Sequence, residues 1–243
     1  MRAPGKALGV LGAILSIAGL GGCMTRQPAP AAGQAPHARL VPSPLLGRAF
    51  DVVPERSVLI VLVYRAGALA ALGHNHVVAC RCVNGTVYLP RDPLHAGFDL
   101  HIAVNQFTVD DPALRAAEHS ADFPPDVPQS ARQGTRHNML GAAVLGAARY
   151  PDITLRAEGM RRAAGGRPDD MLADVLLQLQ GQARSISVPV RYRIKANEIV
   201  ITGAFPLKQT DLGLTPFTAL GGALQVRNAI EIRLRLVARA RVR

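Results

Sequence analysis

The chain has 243 residues and a mass of 25.7 kDa, room for one or two domains at roughly 150 residues each. Hydrophobic residues at 49% against 19% charged exclude a disordered chain, and the one long apolar run, near the N-terminus, is shorter than a standard membrane span. The net charge of +11 raises nucleic acid or an anionic membrane as a partner.

Arg2 and Lys6 precede an apolar stretch over residues 7–20, and the chain then reads Leu20-Gly21-Gly22-Cys23. A charged start, an apolar run and small residues before a cut make residues 1–22 an export signal. Leu20-Gly21-Gly22-Cys23 resembles the bacterial lipobox, and that resemblance implies that Cys23 is the lipid attachment site. Two or three acyl chains, at about 0.8 kcal/mol per buried methylene, anchor a protein stably. Met24 stands where Asp would retain a Gram-negative lipoprotein at the inner membrane, so the resemblance implies a periplasm-facing protein of the bacterial outer membrane. An ordinary secretory signal or an uncleaved anchor helix is the alternative. Residues 23–48 are rich in Pro, Ala, Gln and Gly and bury too little surface to offset ordering, so they read as a tether. Residues 49–243 remain as one domain.

After residue 49 the dominant signal is period-two alternation, the mark of strands with one buried face. Strands are expected at 57–65, 77–89, 98–104, 152–161, 172–180, 186–194, 198–207 and 230–238. Asn84-Gly85, Gly165-Gly166 with Pro168-Asp169-Asp170, and Ala196-Asn197 read as turns. Two helices interrupt the pattern: Asp111-Pro112 opens one through Glu118, and Thr135 caps a second carrying Met139, Leu140, Ala143, Val144 and Ala147 before Pro151. Antiparallel strands without a βαβ rhythm predict an all-β closed barrel or sandwich of about eight strands, with a short two-helix insertion.

Gly73-His74-Asn75-His76 is the most reactive-looking stretch. His74 and His76, two apart on a strand, sit about 7 Å apart on one face and form a candidate metal site. Cys80 and Cys82 share their parity. An extended strand from His74 to Cys82 runs about 26 Å, too far for all four to hold one ion. The cysteines read either as a disulfide or as two buried thiols, since a flat strand places their Cα atoms near the upper limit for bridging. No catalytic motif emerges, and Asp110-Asp111 reads as a helix start rather than a catalytic pair. Aromatic residues make up 4% with no Trp, and the arginines alternate with apolar residues along strands, which excludes a nucleic-acid footprint. Arg2, Lys6, Arg26, Arg39 and Arg48 precede the domain and no acid does, leaving +6 of the +11 on it.

Residues 179–190 (LQGQARSISVPV), 203–207 (GAFPL) and 210–216 (TDLGLTP) resemble the YceI family of lipocalin-like proteins. Tyr150-Pro151-Asp152-Ile153-Thr154-Leu155 fits its Y/F-P-x-I-x-F segment, with Leu155 where Phe is usual. The resemblance implies an extended, lipocalin-like antiparallel eight-stranded barrel holding a long apolar amphiphile, a polyisoprenoid or fatty-acid derivative, with no catalytic residues and no other cofactor. An eight-stranded barrel is either filled by side chains or hollow enough for one ligand, and both stay open here. If hollow, its lining follows the apolar parity: Phe98, Leu100, Ile102, Val104, Ile186, Val188, Val190, Ile230, Ile232 and Leu234, with Phe205 and Phe217 near Gly221-Gly222. The expected function is non-enzymatic lipid carriage or sequestration by a membrane-tethered domain. The alternatives are a periplasmic metal or redox module using His74, His76, Cys80 and Cys82, and a structural envelope protein with a solid core. The sequence leaves a homodimer open.

Overall fold

The computed structural model describes residues 44–242, so the signal, Cys23 and all but the last five residues of the tether lie outside the described residues. Twelve strands are present: β1 (Arg48–Val52), β2 (Val58–Ala66), β3 (His76–Cys80), β4 (Val83–Leu89), β5 (Gly97–Ala103), β6 (Thr108–Val109), β7 (Asp152–Arg162), β8 (Asp170–Leu179), β9 (Gln182–Lys195), β10 (Glu198–Lys208), β11 (Thr218–Ala219) and β12 (Leu224–Ala240). Helices α1 (Pro112–Ala117) and α2 (Gln129–Leu140) lie between β6 and β7. Among the described residues no helix is long and apolar enough to cross a membrane.

Eight antiparallel staves close the barrel, because three of them are composite. β1 and β2 form one stave broken by a 3-10 turn, β3 and β4 the next, β5 and β6 the third. β7, β8, β9, β10 and β12 complete the circuit, and β12 closes it on β10 at one edge and on both β1 and β2 at the other. Leu59 pairs with Cys80 and Ala79 with Thr108, so the three breaks fall side by side as an oblique crease.

The backbone groups freed at the crease find local partners, as buried polar groups must. Ser57, fully buried, accepts from the Val237 amide at 3.0 Å and donates to the Val53 carbonyl at 2.8 Å. The Val104 amide donates to the Pro151 carbonyl at 2.8 Å. In the middle stave the chain kinks so that Arg81 is exposed between two buried cysteines, and Cys80 and Cys82 are joined by a disulfide with a Cα separation of 5.2 Å. The expected single strand over 77–89 is thus two strands meeting at that bond. Because the bond closes a very short loop, the chain-entropy relation gives it only about 1.5 kcal/mol. Adding a reductant should lower the urea-unfolding free energy by about that amount, and a loss above about 3 kcal/mol would show that loop closure is not its main contribution.

Two other expectations are corrected. Asn84-Gly85 is not a turn: it lies inside β4, where Asn84 pairs with His101 and Gly85 with Leu100. Gly85 takes φ +127°, and a Cβ there would sit 2.1 Å from the Asp99 carbonyl oxygen, so the freedom of glycine serves a close strand approach. The second helix begins at Gln129 and ends at Leu140, before most of its expected apolar stripe. Gly141 caps it, with its amide donating to the His137 and Asn138 carbonyls. The chain then doubles back, the amides of Leu145 and Ala147 donating to Met139 and Leu140, and this turn rather than a helix carries Val144 and Leu145. The first helix matches, with the Asp111 carboxylate accepting from the amides of Ala113 and Leu114.

The outer face carries the charge. Arg161 pairs with Asp174 and Arg191 with Asp170 across neighbouring strands, and Arg241, just past β12, pairs with Asp51 of β1. Hydrogen bonds from Arg161 and then Ser187 hold the Asp174 carboxyl well below the usual carboxylate range. Exposed pairs of this kind add little to stability; they solvate the barrel's exterior.

Candidate functional site: an apolar cavity with one polar end

Loops 67–75, 110–151, 180–181 and 209–223 gather at one end of the barrel, and turns 90–96, 163–169 and 196–197 at the other. A cavity of about 330 Å³ opens toward the first, the helical end. A smaller one of about 90 Å³ continues it toward the second, sharing Leu59, Ile102, Leu155, Val188 and Leu234 with it. The barrel is therefore hollow, within the size range of small-molecule sites.

Strand parity supplies the wall. Ile102, Ile186, Val188, Phe205, Phe217, Ile230, Ile232 and Leu234 line the larger cavity. Phe98, Leu100 and Val190 line the smaller. Val104 lines neither: β5 ends at Ala103, and Val104 packs into the core from the 3-10 turn at the crease. The sequence marked Thr135, Met139 and Val144 in the helical insertion but did not single out Asn138 and Leu145, which line the cavity with them from α2 and the turn after it. Nor did it single out Val61, Val63 and Val78, although the alternation in β2 and β3 carried that signal.

Four polar side chains interrupt the apolar lining: His76, Thr135, Asn138 and Gln209. All belong to the helical end. Leu207 pairs with Ile230, Ile230 with Val63 and Val63 with His76, so the start of β3 and the residues just before Gln209 share one level. Arg136, in α2 beside Thr135 and Asn138, donates to the Phe107 carbonyl at 3.1 Å and ties α2 to the segment leading into β6.

His76 is fixed from behind. Asp110, fully buried and with φ +54°, accepts at 2.7 Å from His76 Nδ1 through Oδ2, and at 2.8 Å from the Val77 amide through Oδ1. The same Oδ1 accepts from Arg115 Nη1 at 2.6 Å, and neither side chain of that ion pair is exposed. Burial pushes the Asp110 carboxyl upward, but the hydrogen bonds from His76, the Val77 amide and Arg115 outweigh it, holding the group below the usual carboxylate range. Arg115 also donates to the carbonyls of Asn75 and Pro124, each at 2.7 Å. Asn75 in turn accepts from the Arg65 amide and donates to the Asp122 carbonyl.

His74 and His76, the candidate metal ligands, keep neighbouring rings. His74 is exposed, its ring centroid 6.4 Å from that of His76, and His76 Nδ1 is engaged by Asp110. The cysteine sulfurs are bonded to each other. No group of three or more His, Cys, Asp or Glu able to hold a metal ion occurs among the described residues.

The sequence model of the YceI-like domain matches residues 73–238. The chain belongs to the YceI-like family. Its fold is similar to that of BcnA from Burkholderia cenocepacia, at 16% identity and a TM-score of 0.54, over 77% of this chain and 99% of that one. A polyisoprenoid binding domain from Saccharophagus degradans is similar at 14% identity and a TM-score of 0.51, over 80% of this chain and 99% of its own. No curated protein matches the chain in sequence. The segments that resembled the YceI-like family fall on the β8–β9 turn and β9, on β10, on the turn after it, and on the entry to β7, where the Tyr150 ring packs against the β8–β9 turn at Gly181.

Proposed function

We propose that this protein is a non-enzymatic binding domain that carries or sequesters a long apolar amphiphile, a polyisoprenoid or fatty-acid derivative, in the bacterial envelope. The hollow barrel carries the proposal: a cavity of about 330 Å³ whose wall is apolar except at one end. Membership of the YceI-like family supports it, as does a fold shared with a polyisoprenoid binding domain. The segment preceding the barrel supports a lipid anchor at Cys23 and a periplasm-facing site on the outer membrane, with the tether holding the barrel off the bilayer.

Two measurements test this reading. Solvent extraction of the purified protein followed by mass spectrometry should recover an apolar ligand. Val188→Trp places an indole where both cavities meet. It should weaken binding of a fluorescent fatty-acid probe at least about ten-fold, at a stability cost within the roughly 1–3 kcal/mol of overpacking. Recovery of no ligand, together with unchanged probe binding in the variant, would reject the cavity as the site.

A further inference from the structure

The larger cavity combines an apolar wall with a single titratable side chain, His76; no Lys, Arg, Asp or Glu lines it. The Asp110 carboxylate can only accept, so the proton of the Asp110–His76 bond resides on Nδ1. In the neutral ring that leaves Nε2 with a lone pair and no proton. Nε2 makes no hydrogen bond among the described residues, and the ring forms part of the cavity wall. Arg115, whose side chain is fully buried, has its Nε and Nη1 committed to Asp110 and to the Asn75 and Pro124 carbonyls, and it does not line the cavity. Its charge balances Asp110 and leaves none for a ligand.

Resting on the apolar-ligand reading, we propose that the polar end of the cavity is a head-group site for an uncharged long-chain alcohol, whose hydroxyl donates to His76 Nε2. A carboxylate or phosphate head would be desolvated there without a Lys or Arg on the wall, a costly burial. A hydroxyl supplies the donor that Nε2 lacks and carries no charge to bury. A hydrocarbon would leave Nε2 unpaired against an apolar chain end. Thr135, Asn138 and Gln209 are the other polar side chains on the wall, and the Gln209 side-chain amide already donates to the Arg227 carbonyl.

Four ligands with one carbon skeleton provide the test: farnesol, farnesoic acid, farnesyl phosphate and the hydrocarbon farnesene, competed at neutral pH against a fluorescent apolar probe. Farnesol should bind about ten-fold more tightly than farnesene, the worth of one buried hydrogen bond, and more tightly than either anion. His76→Phe should erase the farnesol preference while keeping farnesene binding. As a check independent of any variant, ¹⁵N spectra of the imidazole should show protonated Nδ1, and the Nε2 resonance should move on adding farnesol but not farnesene. Tighter binding of an anion, equal binding of farnesol and farnesene, or an unmoved Nε2 resonance would overturn the head-group proposal and leave the apolar-ligand reading intact. Failure of all four to bind would overturn both.

Discussion

Replacing Asp110 by Asn should cost the barrel about 3–5 kcal/mol, the usual penalty for removing one partner of a buried ion pair. Arg115 would keep its charge in a site with no exposure, facing an amide instead of a carboxylate. At roughly 2–4 °C per kcal/mol for a domain of this size, the melting temperature should fall by about 6–20 °C. The effect carries a pH signature. The folded-state carboxyl of Asp110 lies below its unfolded value of 3.8, so its contribution is complete above the unfolded value and is lost as pH falls through the folded one. The native protein should therefore lose stability across that acid window, and the Asn variant should show a shallower loss there. Urea titrations from neutral to acid pH measure both. A neutral-pH penalty below about 1 kcal/mol would mean that the pair contributes no more than an exposed salt bridge.

Substitution of Gly85 by Val should be comparably damaging, for a steric reason. Two faults combine at that site: a backbone at φ +127° that L-residues rarely adopt, and a Cβ position 2.1 Å from the Asp99 carbonyl oxygen and 2.9 Å from the Leu100 Cα. Backbone in such a region costs about 1–3 kcal/mol by itself, and both obstructing atoms are main chain, so no rotamer change relieves the clash. The expected loss is about 3 kcal/mol or more. Gly165 also has positive φ but nothing near its Cβ position. Gly165→Val should therefore be the milder change, and denaturation of the two variants side by side separates strain from collision. Equal losses would show that contact with Asp99 adds nothing.

The barrel was legible in the sequence wherever one face of a strand is buried along its whole length. β12 shows this best: its alternating Ile230, Ile232, Leu234 and Leu236 all reach the interior cavities. The crease was not legible, because alternation continues across it. Arg81 faces out between Cys80 and Cys82 as any outward strand residue would, and nothing in those three letters distinguishes a kink from an extended run. Asn84-Gly85 misled for a related reason, since a positive φ serves a hairpin turn and a close strand contact equally well. Hollowness was hidden because a filled and an empty barrel ask for the same apolar parity. Asp110 and Asp111 are the sharpest lesson. Adjacent and chemically identical, one caps α1 at the surface and the other is the buried anion behind His76. Only the return of Arg115 onto the start of its own helix tells them apart.

The pairing of β9 with β10 runs from Glu198 opposite Lys195 only to Thr202 opposite Arg191. Above it lies Pro189, which has no amide hydrogen to offer, while β9 is paired with β8 from Leu179 opposite Gln182 to Asp170 opposite Arg191. The stretch of β9 carrying Ile186 and Val188 and the stretch of β10 carrying Phe205 and Leu207 thus face each other outside the paired ladder, and all four side chains line the larger cavity. A container stitched evenly around its circumference can widen only by breaking stitches. This one has a placket, an unlaced length of wall beside the larger cavity, which can part without loss of a β9–β10 pairing.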